Sequence, residues 1–259
     1  MDLSRAKHAF ITGGASGIGL GIADALARRG LLVTIADIDA AAMATVVASR
    51  AAGFRGQALD TRDRKGWVIA RAEAESASGP VDILVNNAGI APDGREFADM
   101  EPESFDRILA INLTGVFNGV STFAAAMRAR GRGHIVNTAS MAGLTLSHPG
   151  IGAYTVAKFG VVALSETLRT ELAPHGVGVS LLCPGYVATN LPQNTVKLGG
   201  ALRTSAGIMP AATVTSAEVG EQVALAIGQD LPYIITHGGY WPQVEKRFKM
   251  IREAFHPPQ

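Results

Sequence analysis

The chain is poor in several features that would each fix its class. It has one cysteine, Cys183, in 259 residues, which excludes a disulfide framework and any cysteine-rich metal site. It has no excess of one charge. Its 23 Lys and Arg stand against 22 Asp and Glu, a formal charge of +1, so a basic nucleic-acid footprint or a polybasic membrane patch is not expected. Hydrophobic residues reach 47%, yet charges or turn residues are expected to break every apolar stretch before the roughly 18 residues of a membrane span. Met1–Lys7 carries Asp2, Arg5 and Lys7 ahead of a short run and has no signal-peptide pattern. The six histidines lack ligand spacing, so no metal is expected. These absences leave a soluble, cytoplasmic protein with one domain over residues 1–259. At this length about 70% of the unfolded surface can be buried.

What is present is an alternation of aliphatic runs and amphipathic stretches. His8–Thr12, Leu31–Ala36, Gln57–Leu59, Ile83–Val85, His134–Thr138, Val177–Leu182 and Tyr233–Thr236 read as short strands. Their apolar residues fall on consecutive positions, as in a parallel sheet covered on both faces. Helical patterns occupy Ile18–Arg29, Ala40–Ala52, Arg64–Ser78, Glu103–Arg130 and Tyr154–Ala173, several of them closed by Gly. The alternation predicts an α/β fold, a doubly wound parallel sheet of about seven strands. Residues 189–212 contain Pro192, Gly199, Gly200, Gly207 and Pro210 without periodicity, which predicts a substrate lid. A helical extension is expected at 241–255.

The first strand runs into Thr12-Gly13-Gly14-Ala15-Ser16-Gly17-Ile18-Gly19, which opens a helix. Glycines let the backbone approach a pyrophosphate, and N–H groups at the helix start attract its charge. Asp37 ends the second strand eighteen positions after Gly19, where an acid accepts hydrogen bonds from the adenine ribose. A 2′-phosphate there would bring like charges to about 4 Å, a penalty of several kcal/mol at an effective dielectric near 20. No Lys or Arg stands at Ser16 or Ile38 to offset it. The reading is NAD, with a solvated strand-end acid as the alternative role for Asp37.

Tyr154 and Lys158 stand at i and i+4 on one helix, so both side chains reach a common partner. A cation about 5 Å from a phenol contributes roughly 3 kcal/mol, which predicts a lowered Tyr154 pKa and a general acid/base. Ser140 follows the strand His134–Thr138, at the sheet edge where α/β proteins bind ligands.

With these positions in order the chain resembles a short-chain dehydrogenase/reductase of the non-extended type over residues 6–240. The resemblance rests on the Thr12–Gly19 turn, Asp60, Asn86-Asn87-Ala88-Gly89, Asn112, Ser140, Tyr154, Lys158 and Pro184-Gly185. It implies that Tyr154 is the acid/base and that Ser140 orients the substrate oxygen. Lys158 would hold the nicotinamide ribose and lower the Tyr pKa, and Asn112 would support a water-linked proton path. It further implies that Gly13, Ser16, Gly17, Ile18 and Gly19 meet the pyrophosphate, with Asp60 and Thr61 at the adenine. Asn87, Ala88 and Gly89 would line the adenosine ribose, and Pro184, Gly185, Val187 and Thr189 would flank the nicotinamide. The Ser140–Tyr154 interval is one residue longer than the family's usual one, and the extra residue falls in the 144–152 substrate loop.

The implied reaction interconverts a secondary alcohol and a ketone, with reduced nicotinamide as co-product or donor. Candidate pocket walls are Met141, Leu146, His148, Tyr186, Leu191, Met209 and Trp241, with Lys197 and Arg203 as lid cations able to meet a carboxylate. These walls are mostly apolar and predict an aromatic or alicyclic substrate. The Tyr233–His237 ending followed by a helix is similar to a subgroup that includes bacterial benzylic alcohol dehydrogenases. Alternatives are an NADPH-dependent ketoreductase, which Asp37 opposes, and a non-catalytic nucleotide-binding protein on the same fold. Cys183 reads as a buried structural thiol. Phe117, Val120 and Phe123 form a core or interface stripe. Family resemblance implies a homotetramer or homodimer built on the helices holding Phe117 and Phe159.

Overall fold

Seven strands form one parallel sheet: β1 (His8–Thr12), β2 (Leu32–Asp37), β3 (Phe54–Ala58), β4 (Ile83–Asn86), β5 (Gly133–Thr138), β6 (Val177–Cys183) and β7 (Tyr233–Ile235), in the order 3-2-1-4-5-6-7. They are seen in a computed structural model that describes residues 1–50, 53–145, 148–200 and 213–255. The helices in chain order are α1 (Gly17–Ala27), α2 (Ala40–Ala48), α3 (Arg64–Ser78), α4 (Pro102–Leu109), α5 (Gly115–Arg130), α6 (Gly152–Leu172), α7 (Leu191–Lys197), α8 (Ser216–Gln229) and α9 (Trp241–Ala254).

Both faces of the sheet are covered, which is why the strands read as continuous apolar runs. In β1, Ala9 and Ile11 enter the core with α1, α2 and α8, while Phe10 enters the opposite core with α3, α5 and α6. Three of the chain's few aromatic side chains meet there: Phe10 lies 5.2 Å from Phe123 and 6.0 Å from Trp67 between ring centroids. The strand order reverses between β1 and β4, and the crevice at their carboxyl ends is where ligands bind in such sheets.

Two boundaries differ from expectation. The third strand is Phe54–Ala58 rather than Gln57–Leu59; it is an edge strand half exposed to water, so Arg55 and Gly56 need not be apolar. The run expected as one helix from Glu103 to Arg130 is two, joined by a π turn at Ala110–Thr114. That same run corrects a second expectation. No Asp, Glu, Lys or Arg occurs between Leu109 and Arg128, and the stretch from Pro102 to Arg130 is long and apolar enough for a span by composition alone. Its Val120, Phe123 and Met127 are buried against the sheet, so the apolarity serves the core.

Helix α8, absent from the sequence reading, starts at a capping box in which Thr215 and Glu218 bond each other's backbone N–H. It crosses α1 with the two backbones touching. A Cβ on Gly21 would fall 2.0 Å from the Ser216 carbonyl oxygen, and one on Gly220 would fall 2.1 Å from that of Gly21. The glycine-rich helix α1 is thereby fixed against α8; of the expected 189–212 lid, residues 201–212 lie outside the described residues.

Candidate active site

The glycine turn is shaped by close backbone approach. Gly13 and Gly17 have φ of 64° and 52°, left-handed values that favour glycine. A Cβ on Gly19 would lie 2.2 Å from the Gly13 carbonyl oxygen. Ser16 stands at the N-cap of α1 without a side-chain cap bond, so the first N–H groups of the helix keep no side-chain acceptor. This cradle fits a pyrophosphate. Asp37 braces it: one carboxylate oxygen accepts from Ala15 N–H at 3.1 Å and the other from Asp39 N–H at 3.1 Å. Asn87 is a second strut, its N–H donating to the Thr12 hydroxyl at 2.9 Å and its amide to the Thr12 carbonyl at 3.1 Å.

Beside the turn, Asp37, Asp60, Thr61, Ala88 and Gly89 line a recess of about 70 Å³. Arg62 grips Asp60 at 2.6 Å and, as the chief cause, holds its carboxyl below the usual range. Lys197 also lines this recess and pairs with Asp39 at 2.6 Å. Its expected place facing the substrate is therefore corrected; α7 carries it to the recess lined by Asp37 and Asp60. Asn194 donates to the Ser16 hydroxyl at 3.4 Å, and Thr195 accepts from Ala91 N–H at 2.8 Å.

The recess opens into a cavity of about 410 Å³. Ser140, Tyr154 and Lys158 meet on its wall, together with Gly13, Ser16, Gly17, Ile18, Asn87, Pro184, Gly185, Val187 and Thr189. Ser140 caps a 3-10 turn after β5 and accepts from Ala142 N–H at 3.1 Å. It is also hydrogen bonded to Tyr154. Lys158 is buried, donates to the Thr138 carbonyl at 2.9 Å and lies 5.5 Å from the Tyr154 ring centroid. Burial lowers its pKa to about 8. Burial also raises the Tyr154 phenol, and the Ser140 hydrogen bond opposes that rise without cancelling it. The lowering expected from Lys158 is corrected: the loss of water on burial dominates and disfavours the phenolate.

Asn112 sits in the π turn, buried, with its amide donating to the Ile90 carbonyl at 3.0 Å and accepting from Ile90 N–H at 2.8 Å. Each polar end of the side chain bonds Ile90, so Asn112 fixes the loop after β4.

Met141, His148, Tyr186 and Leu191 line the cavity; Leu146, Met209 and Arg203 lie outside the described residues. Trp241 does not line it and is 61% exposed. Its neighbours Tyr240 and Gln243 do, with Ile90, Ala91, Pro92, Thr145 and Ile151. The loop 90–92 is marked in sequence by following Asn-Asn-Ala-Gly at the strand-order reversal; Tyr240 and Gln243 carry no such local mark. Cys183 is buried, and its thiol is raised to about 12 by that burial, as suits a structural thiol.

Residues 7–198 match the family model for short chain dehydrogenase. "Probable oxidoreductase EphD" of Mycobacterium tuberculosis (strain ATCC 25618 / H37Rv) is 43% identical over 190 residues, covering 71% of this chain and 32% of that protein. The chain thus matches about a third of that relative's length. A short chain dehydrogenase/reductase from Burkholderia phymatum, solved in complex with NAD, is 31% identical at a TM-score of 0.88, covering 97% of this chain and 96% of that one. A variant of actinorhodin polyketide ketoreductase, solved with NADPH, is 31% identical at a TM-score of 0.80, covering 92% of this chain and 98% of its own. With the family model matching most of its length, the chain belongs to the short-chain dehydrogenase family of oxidoreductases.

Proposed function

We propose that this protein interconverts a secondary alcohol and a ketone using NAD, and that its substrate is aromatic or alicyclic. The observation that carries the reading is the meeting of Ser140, Tyr154 and Lys158 on one cavity wall beside the glycine turn. When bound, nicotinamide accepts the hydride from the carbinol carbon or returns it to the ketone. Tyr154 Oη takes the alcohol proton in one direction and gives it back in the other. Ser140 Oγ, already anchored by Ala142 N–H, holds the same substrate oxygen. Lys158, fixed on the Thr138 carbonyl, places positive charge beside the phenolate as it forms. The two braced oxygens of Asp37 support NAD, since a 2′-phosphate would meet that carboxylate. Met141, Tyr186 and Leu191 support a bulky apolar substrate, aryl carbinols first. Phe117 and Val156, 48% and 43% exposed on α5 and α6, support a dimer or tetramer built on those helices.

A second reading, an NADPH-dependent ketoreductase, is favoured by Lys197, which brings a cation to the adenosine recess. Its pairing with Asp39 weighs for NAD. The test mixes the protein with NAD or NADP and a panel of secondary alcohols and follows reduced nicotinamide. Reduction of NAD by an aryl carbinol, with NADP at least about tenfold poorer, is the expected result. Equal or better use of NADP overturns the cofactor assignment, and faster turnover of small aliphatic diols overturns the substrate class.

A further inference from the structure

The loop that follows β6 is held from behind by a histidine with no place in the reaction described above. Gly185 N–H points at His237 Nδ1 at 3.2 Å and at the Thr236 hydroxyl at 3.3 Å. The Thr236 hydroxyl is itself 2.6 Å from His237 Nδ1. A backbone N–H only donates, so in this bond Nδ1 is the acceptor and the ring carries its hydrogen on Nε2. The packing is as close as the hydrogen bonding. A Cβ on Gly185 would lie 2.8 Å from the His237 ring and 2.9 Å from Tyr240. The His237 and Tyr240 rings meet edge to face at 6.3 Å. Gly185 and Tyr240 both line the large cavity, so His237 joins the C-terminal segment to the wall beside Tyr154 and Ser140.

We propose that His237 is a positioning residue whose Nδ1 lone pair sets the Pro184–Gly185 backbone for the nicotinamide. The inference rests on the assignment of a nicotinamide cofactor to this cavity. It differs from a packing role in requiring an acceptor at one ring atom, and the side-chain series Asn, Gln and Ala separates the two. Asn places its oxygen near the position of Nδ1, Gln places its own near Nε2, and Ala supplies neither.

The test titrates wild type, His237→Asn, His237→Gln and His237→Ala with reduced NAD or reduced NADP, whichever binds wild type more tightly, following nicotinamide fluorescence. The Tm of each variant is measured alongside. Choosing the ligand on wild type keeps a wrong cofactor assignment from counting against His237. His237→Ala and His237→Gln are expected to weaken binding about fivefold, the worth of one ordinary hydrogen bond. His237→Asn is expected to stay within about twofold of wild type. Equal binding by all four proteins overturns the proposal. So does a loss in Asn as large as in Ala, or a loss that follows Tm and not the presence of the acceptor.

Discussion

Lys197 of α7 and Asp39, 158 positions apart in the chain, form a 2.6 Å ion pair at the recess lined by Asp37 and Asp60. The pair ties α7 across that recess. Lys197 is exposed and Asp39 half-buried, so the pair has the modest, salt-sensitive worth of a surface bridge. Lys197→Met is expected to speed cofactor dissociation about threefold. In wild type that rate should rise with salt, whereas in the variant it should stay flat. Stopped-flow release of reduced nicotinamide measures both, and a variant with unchanged rate and salt slope would remove α7 from the release step.

Tyr154 carries the proton transfer in the reading above. Tyr154→Phe is expected to lower turnover by about 10³ or more while leaving cofactor affinity within about twofold, because the ring and its packing stay. Burial raises the phenol above its ordinary value, so the base form becomes commoner only as pH climbs. Alcohol oxidation should therefore accelerate from neutral into alkaline solution, and ketone reduction should not. Rate profiles in both directions, with substrate saturating, check the sign.

Lys158 is a cation that the fold disfavours. Its pKa falls to about 8 from its ordinary value, chiefly through burial. Below the folded value both folded and unfolded chains carry the charge, and the penalty is complete. Between the two values the unfolded chain binds more protons, so stability rises with pH across that window. Lys158→Met is expected to unfold about 2 kcal/mol harder near neutral pH, after allowing for the lost bond to Thr138, and to lose that advantage toward about pH 10. Urea unfolding at both pH values tests this; turnover should fall at the same time.

The α1–α8 crossing leaves no room for a methyl group. Gly220→Ala drives a Cβ into the Gly21 carbonyl, and rigid backbone cannot yield as a side chain does. About 3 kcal/mol of destabilisation is expected, read as a fall in Tm of about 6 °C or more. Gly228, in the same helix, has only Leu3 near its missing Cβ, at 3.9 Å. Gly228→Ala should therefore leave Tm unchanged or raise it slightly. If Gly220→Ala behaves like Gly228→Ala, the two helices do not touch as described.

The features legible in sequence were those written in short range. The Thr12–Gly19 turn follows its strand directly, and Tyr154 and Lys158 sit one helical turn apart, so spacing alone places them together. The Thr215–Glu218 capping box is equally local, yet the helix it opens, α8, is not among the expected elements. The π turn is different: nothing in 110–114 breaks a helix, and the turn coincides with the grip of Asn112 on Ile90, 22 positions away. The choice of Tyr240 over Trp241 as a cavity wall is likewise tertiary. Val244 is buried against the core below Met141 and Val162, and that anchor sets which side of the C-terminal segment turns inward. Lys197 was expected at the substrate because its partner, Asp39, is distant in sequence. The Tyr154 pKa is not legible in spacing, which reports the neighbouring charge and not the loss of water.

Asp37 belongs to two structures at once. The carboxylate that lines the recess is also the acceptor that holds Ala15 and Asp39, so under the proposed reading cofactor preference and the curvature of the glycine turn share one side chain. On that reading a change of the acid alone would not carry the chain from one dinucleotide to the other, because the substitution that admits a phosphate would also loosen the turn. The route between the two cofactors runs through a second change that rebuilds the brace first, and Ser16 and Ile38, on either side of it, are where such a change would have to begin.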